Sequence, residues 1–122
     1  MERERFEQLV DRALDELPEE VQGWLSNVAV VVQLHPTPDQ MRRARVGSGS
    51  LLLGLYEGIP LTARTSHYGL VLPDKITIFQ WPIERICRSD EEIAARVRHT
   101  VVHELAHHFG ISDERLREIG VY

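Results

Sequence analysis

The sequence predicts an α+β domain, in which a small mixed or antiparallel sheet of three to four strands packs on one long helix, with further helices at both ends of the chain. Helical and extended patterns are interspersed along the sequence, and at least one connection between strands is short. The longest helical pattern lies near the C-terminus. At 122 residues and 43% hydrophobic content, one domain over residues 1–122 is expected.

Two helices and one strand are predicted in the first third of the chain. Apolar residues recur every three or four positions over residues 3–17, which is the period of an amphipathic helix. Pro18 suits the start of a second, short helix over residues 19–25. Residues 28–34 are β-branched and apolar, and this run is too short for a helix. It predicts a buried strand.

The middle of the chain predicts two more strands with irregular segments between them. Prolines, glycines and serines indicate a mobile connection over residues 35–50. The arginines in this connection, Arg42, Arg43 and Arg45, are interpreted as part of a solvated loop. Residues 50–56 form the second strand candidate. An irregular loop is expected over residues 58–74, and the alternation over residues 75–81 predicts the third strand.

The last third of the chain predicts three helices. A short one starts with proline and covers residues 82–87. Ser89 and Glu92 have the spacing of a capping box, which opens a long helix over residues 90–109. A final short helix begins at residues 112–114. The buried stripe of the long helix is expected to consist of residues spaced by four, namely Ile93, Val97, Val101, Leu105 and Phe109.

The end of the long helix carries residues that can bind a metal ion and activate water. His103 and His107 are separated by about 400° of helix rotation and a rise of ~6 Å, so both imidazoles can reach one ion. Glu104 has the position of the general base in zinc hydrolases. Gly110 can end the helix and turn the chain back, which brings Asp113 into range as a third ligand. Three protein ligands leave the fourth position open for water, as in catalytic zinc sites.

Other interpretations of these residues stay open. Glu104 could be an ordinary solvated glutamate, and Asp113 could serve only the dipole of the final helix. His99 and His107 are ~12 Å apart along the helix axis, so these two and the intervening histidine cannot share an ion. We therefore interpret His99 as a packed histidine or one that supports a ligand. His108 is rotated by about 100° from His107 and is expected to face elsewhere.

Four further residues could contribute to the chemistry. Tyr56, Tyr68 and Tyr122 could each stabilise an oxyanion, although the sequence places none of them near the metal. Cys87 could bind the metal as an inhibitory thiolate. A small core residue is the simpler interpretation of Cys87.

Composition limits the partners and the compartment. The net charge is −5 and no long basic run occurs, which argues against a nucleic-acid partner. No stretch approaches the about 18 apolar residues of a membrane span. One cysteine excludes an internal disulfide and fits a reducing compartment, and the charged N-terminus lacks the apolar run of a secretory signal. A cytoplasmic protein is therefore expected.

These residues carry a family resemblance. The helical pattern His-Glu-x-x-His-x-x-Gly-x-x-Asp, after three strands, resembles the zincin metallopeptidases and especially their metzincin-like branch. Nearly the whole chain resembles the small, stand-alone bacterial zincin-like metallopeptidases. The resemblance implies that Zn2+ is bound by His103, His107 and Asp113, with Glu104 as the base. Larger metzincins usually have histidine where this chain has Asp113, and they carry a methionine-containing turn beneath the metal.

The resemblance implies a zinc metalloendopeptidase acting on peptide or protein substrates. The ion would lower the pKa of its bound water toward ~7, and Glu104 would transfer a proton from that water to the leaving amine. The substrate would pair with an exposed sheet edge, for which the third strand is the candidate. Two alternatives stay open: a non-catalytic binding or regulatory module stabilised by zinc, and a metal-free interaction domain.

Overall fold

The computed structural model describes residues 1–47, 49–58 and 73–121, and this part of the chain forms six helices and three strands. None of the described helices has both the length and the apolar character needed to cross a membrane. In chain order, the elements are α1 (Arg3–Asp15), α2 (Glu19–Trp24), β1 (Val28–Gln33), α3 (Pro38–Arg43), β2 (Gly54–Glu57), β3 (Asp74–Phe79), α4 (Gln80–Ile86), α5 (Asp90–Phe109) and α6 (Asp113–Glu118).

The three strands form one mixed sheet with β3 in the middle. β1 pairs with β3 in parallel, and β2 pairs with β3 antiparallel. The predicted α+β class and the small mixed sheet are therefore confirmed. The choice of the third strand as the exposed edge is wrong, because β3 is paired on both sides and is buried from Ile76 to Phe79. The edges of the described sheet are β1 and β2.

The core lies between α1, α5 and one face of the sheet. α5 packs against α1, α4, β2 and β3, and it is buried at four of the five positions of its predicted stripe. Phe109 is the exception, with 47% of its surface exposed. Its ring lies edge-on to Tyr56, with 6.2 Å between centroids, at the exposed end of the helix. Fully buried core side chains include Phe6, Val21, Ile76, Ile78, Ile83, Val97, Val101 and Leu105.

Both ends of α5 agree with the sequence prediction. The Ser89 hydroxyl accepts a hydrogen bond from the Glu92 backbone N–H at 3.1 Å. The Glu92 carboxylate accepts from the backbone N–H of Arg88 at 2.8 Å, one residue before the partner that a capping box uses. At the other end, Gly110 adopts the left-handed conformation with a φ of 69°.

The connection predicted over residues 35–50 contains a helix, α3. Thr37 and Gln40 form a complete capping box: the Thr37 hydroxyl accepts from the Gln40 backbone at 3.1 Å, and the Gln40 side chain accepts from the Thr37 backbone at 2.9 Å. Pro38 occupies the first helical position. The prediction of an irregular segment is wrong because six residues are too few to show a hydrophobic period, although the cap itself was visible in the sequence.

Two other predicted boundaries need correction. β2 starts at Gly54 rather than at residue 50, and α4 starts at Gln80, so the last two residues of the third strand candidate are helical. The loop predicted over residues 58–74 lies almost entirely outside the described residues.

Candidate active site

A cleft of about 660 Å³ lies beside the outer edge of β2, with the C-terminal half of α5 along one side. Residues just after α3 contribute to its lining as well, so the cleft extends around the edge of β2. The α5 residues that line it are Arg96, His99, Thr100, His103, Glu104, His107 and His108.

The close approach of β2 to α5 depends on Gly54. A Cβ atom at this position would lie 2.6 Å from Cγ2 of Thr100 and 3.2 Å from the backbone oxygen of Thr77. Real Cβ atoms essentially never come within 3.0 Å of another group in this way. Glycine therefore allows the strand to lie directly against the helix.

The backbone of β2 directs hydrogen-bonding groups into the cleft. Phe79 donates its backbone N–H to the Leu53 oxygen at 2.9 Å. Leu53 and, two residues later, Leu55 therefore direct their backbone groups toward β3. Because antiparallel pairing uses alternate residues, Gly54 and Tyr56 direct their backbone groups to the other side. Tyr56 donates its N–H to Oε1 of Glu104 at 3.1 Å. The predicted base is therefore held by the edge strand.

The environment of Glu104 makes its carboxylate a stronger base than a solvated glutamate. Burial raises the pKa of the Glu104 carboxyl above its usual range. The hydrogen bond from Tyr56 and the charges of His103 and His107 act in the opposite direction but do not cancel this effect. Bases in enzymes are commonly adjusted in this way.

The two predicted metal-binding histidines lie side by side on the exposed face of α5. The ring centroids of His103 and His107 are 5.5 Å apart, with an angle of 31° between the ring planes. Both residues are exposed and line the cleft. Paired imidazoles at four-residue spacing are ligands of the kind that zinc uses, so this part of the donor set fits Zn2+.

Asp113 is the first residue of α6, after the turn at Gly110. The turn is closed by a hydrogen bond from the Ile111 N–H to the Ala106 oxygen at 2.9 Å, and Ser112 caps α6 through the Arg115 N–H at 3.1 Å. In the described part of the chain, no three His, Cys, Asp or Glu residues lie close enough together to hold a metal ion. The structure thus brings the two imidazoles together without grouping the Asp113 carboxylate with them.

Two further histidines border the metal-binding pair. The ring of His99 lies nearly parallel to that of His103, with centroids 6.1 Å apart, and burial lowers its pKa together with the charges of Arg96 and His103. The expectation that His108 faces elsewhere is wrong. His108 lines the cleft and stacks on Tyr56, with centroids 3.8 Å apart. The rotation along α5 turns it toward β2 rather than away from the site.

Tyr56 was missed as the residue that links the strand to the base. Its hydroxyl donates to Oδ2 of Asp74 at 2.6 Å, and its ring lies under His108. No local pattern in the sequence indicates these contacts, because they join segments far apart in the chain.

Cys87 is half-buried against the core and outside the cleft, and burial raises the pKa of its thiol. Tyr68 and Tyr122 lie outside the described residues.

A mixed sheet whose antiparallel edge strand lies along a helix with the pattern His-Glu-x-x-His is the arrangement of the zincin class. A family model described as zincin-like metallopeptidase matches residues 25–121, and the chain belongs to this family. It is similar to a solved structure described as a conserved hypothetical protein from Thermo thermophilus, with 27% identity and a TM-score of 0.54 over 94% of this chain and 96% of that chain. No curated protein matches the chain.

Proposed function

We propose that the protein is a zinc-dependent metalloendopeptidase that hydrolyses peptide bonds with Glu104 as the general base. The observation that carries this proposal is the placement of Glu104: it directly follows His103 in the turn of α5 that carries the paired imidazoles, and it is held by a backbone N–H of the edge strand. A solvated helix glutamate would need neither this partner nor its partial burial.

The residues proposed to bind zinc are His103, His107 and Asp113. The spacing of the two imidazoles supports their role, and the family pattern together with the chain reversal at Gly110 supports that of Asp113. Bound there, zinc would supply Lewis acidity and lower the pKa of a bound water.

The proposed role of Glu104 follows from how its carboxylate is held. Oε1 accepts the hydrogen bond from Tyr56, which orients the group and leaves Oε2 for a water proton. The carboxyl would then give that proton to the nitrogen of the leaving amine. The raised pKa of Glu104 favours the first transfer, because a stronger base takes the proton from water more readily.

The substrate is proposed to lie extended along β2. The outward backbone N–H and C=O of Gly54 can pair with a peptide, as in other cases of strand addition, while the N–H of Tyr56 stays bonded to Glu104. β2 replaces β3 in this role because β3 is the central strand. Peptide substrates, a cytoplasmic location and the absence of a nucleic-acid partner remain predictions.

The experiment compares zinc content and peptide cleavage in the native protein and three variants. Glu104→Gln should retain zinc and lose turnover by about 10²–10⁴-fold, because it removes the base without removing a ligand. His107→Ala should lose zinc as well. Glu7→Gln, an exposed change on α1, is the matched control and should keep both properties.

Equal cleavage by Glu104→Gln and the native protein would contradict the proposed mechanism. Stoichiometric zinc without cleavage of any library peptide, together with unfolding on chelation, would support the non-catalytic module instead. A protein that binds no zinc would contradict both.

A further inference from the structure

The cleft contains positive charge in a protein whose net charge is −5. Arg43, Arg45 and Arg96 all line it. The charge of Arg43 is largely neutralised, because its guanidinium lies 3.0 Å from both Asp39 and Glu57. For Arg45 and Arg96, the described residues provide no carboxylate within ion-pair distance. These two guanidinium groups are therefore available to a carboxylate that enters the cleft.

The position of Arg45 is maintained by the structure around it. Arg45 follows α3 and has a φ of 57°, a left-handed conformation that is uncommon for a residue with a side chain. Hydrogen bonds from the Arg45 N–H to the Arg42 oxygen at 3.0 Å and from the Val46 N–H to the Met41 oxygen at 3.1 Å close this turn.

The helix before that turn is anchored to the sheet. The Glu57 carboxylate, only 8% exposed, accepts hydrogen bonds from Gln40 at 3.1 Å and Thr77 at 2.8 Å, and it pairs with Arg43. Because Gln40 and Arg43 belong to α3, this network joins α3 to β2 and β3. It therefore supports the turn that presents Arg45 at the cleft.

Arg96 lies on α5 and also lines the cleft. It is two helical turns before Glu104, which corresponds to ~12 Å along the axis. The nearest glutamate along the same helix face is Glu92, and that carboxylate already accepts from the Arg88 backbone at 2.8 Å.

The direction of β2 determines which part of a substrate reaches Arg96. Gly54 lies against Thr100 and Tyr56 bonds Glu104, so β2 and α5 run in the same direction along the cleft. Antiparallel pairing is the more stable arrangement for an added strand. A peptide antiparallel to β2 then has its C-terminal side toward Arg96. At ~3.3 Å per residue, Arg96 lies about three to four residues beyond the scissile bond.

We propose that the cleft selects peptides with a carboxylate a few residues after the scissile bond, bound by Arg96 and assisted by Arg45. This inference rests on the proposed peptidase function. The carboxylate can come from an aspartate or glutamate side chain, or from the free C-terminus of a short peptide. Guanidinium groups bind either source through the same charge-assisted hydrogen bonds.

The test uses three peptides of equal length that differ at the fourth residue after the cleaved bond. The first peptide has aspartate at this position and an amidated C-terminus. The second has asparagine at this position as its last residue, with a free C-terminal carboxylate. The third has the same asparagine with an amidated C-terminus. The zinc-loaded protein should cleave at least one of the carboxylate peptides with a roughly tenfold higher kcat/KM than the neutral peptide. The preference should weaken in high salt.

Arg96→Gln should reduce the ratio of kcat/KM for the carboxylate peptide to kcat/KM for the neutral peptide toward one. Arg45→Gln should reduce this ratio in part. Arg88→Gln is the matched control, because Arg88 is an exposed arginine outside the cleft, just before the same helix begins. Direct binding of the same labelled peptides to zinc-loaded Glu104→Gln, measured by fluorescence anisotropy, should show the same order.

The outcomes separate the two proposals. Cleavage of none of the peptides, with carboxylate-selective binding intact, would contradict the peptidase function alone. Cleavage and binding that are equal for the three peptides, or a preference that survives the Arg45→Gln and Arg96→Gln double change, would overturn carboxylate selection. A preference for the free C-terminus alone would identify the source of the carboxylate as the peptide terminus.

Discussion

Replacing Gly54 with alanine would introduce a methyl group where β2 and α5 are closest. The new Cβ would lie 2.6 Å from Cγ2 of Thr100, about 1 Å less than an ordinary contact between carbon atoms. Thr100 cannot rotate away without cost, because its hydroxyl donates to the Arg96 oxygen at 2.7 Å. The backbone oxygen of Thr77, 3.2 Å from the same point, limits a compensating shift of the strand.

The expected loss of stability follows from these contacts. Overpacking a buried site costs about 1–3 kcal/mol. The reduced freedom of alanine in the unfolded chain offsets about 0.4–1 kcal/mol of this cost. Gly54→Ala should therefore lower the free energy of unfolding by about 1–2 kcal/mol. For a chain of this size, that corresponds to a decrease in Tm of roughly 4–8 °C.

Thr100→Ser tests the cause, because serine keeps the hydroxyl and lacks the clashing Cγ2 atom. Urea unfolding of the native protein, both single variants and the double variant gives a complete cycle. The free energy of unfolding of the double variant should be about 1 kcal/mol higher than the sum of the two single changes predicts. Gly23→Ala is the control: no atom lies within 4 Å of its new methyl group, and alanine favours the helix there, so stability should rise by about 0.5–1 kcal/mol.

Equal stability of Gly54→Ala and the native protein would refute the argument, as would a strictly additive double variant. The same displacement should lengthen the hydrogen bond between Tyr56 and Glu104. If Glu104 is the base, kcat should therefore fall in Gly54→Ala and recover partly in the double variant. A stability change without any change in kcat would mean that this hydrogen bond does not position the carboxylate.

Four other outcomes are expected. Zinc should raise the Tm of the native protein through preferential binding to the folded state, and thermal scans with and without chelator should show no such shift in His107→Ala. Tyr56→Phe should lower the free energy of unfolding by about 1 kcal/mol in urea titrations, because it removes the hydrogen bond to Asp74. Thr37→Ala should lower it by a similar amount through loss of the α3 cap. Burial opposes ionisation of Glu57, but its hydrogen bonds and the nearby cations outweigh burial and lower its pKa. The ionised carboxylate therefore stabilises the fold above its unfolded pKa, and this stabilisation is lost as the pH falls through the folded pKa. Acid unfolding of Glu57→Gln should lack this pH-dependent loss of stability.

Local signals were sufficient for the helices with clear ends. The bounds of α5 follow from Ser89 and Gly110, because capping involves only residues within a turn of the helix end. The neighbouring positions of His103 and His107 follow from helix geometry in the same way. α3 has an equally local cap at Thr37, but its six residues are too few to show the hydrophobic period on which the prediction of a helix depends.

Strand order could not be derived from the alternation of side chains. Alternation shows that a segment is extended, but it does not identify the neighbours of the strand. The central position of β3 depends on a parallel pairing with β1, a strand more than 40 residues earlier in the chain. The same limitation hid the role of β2 as the edge strand beside the cleft.

The α+β class, the long helix and the row of histidines along it follow from the amino-acid sequence alone, because they depend on periodicity and on groups a few residues apart. The packing of distant segments was needed to show that Tyr56 holds Glu104, that His108 faces the cleft and that Arg45 and Arg96 both line it. Each of these features involves segments distant in sequence, and the first two depend on how closely β2 approaches α5. That distance is limited by the side chain at position 54, whose effect becomes visible only when its neighbours in space are known.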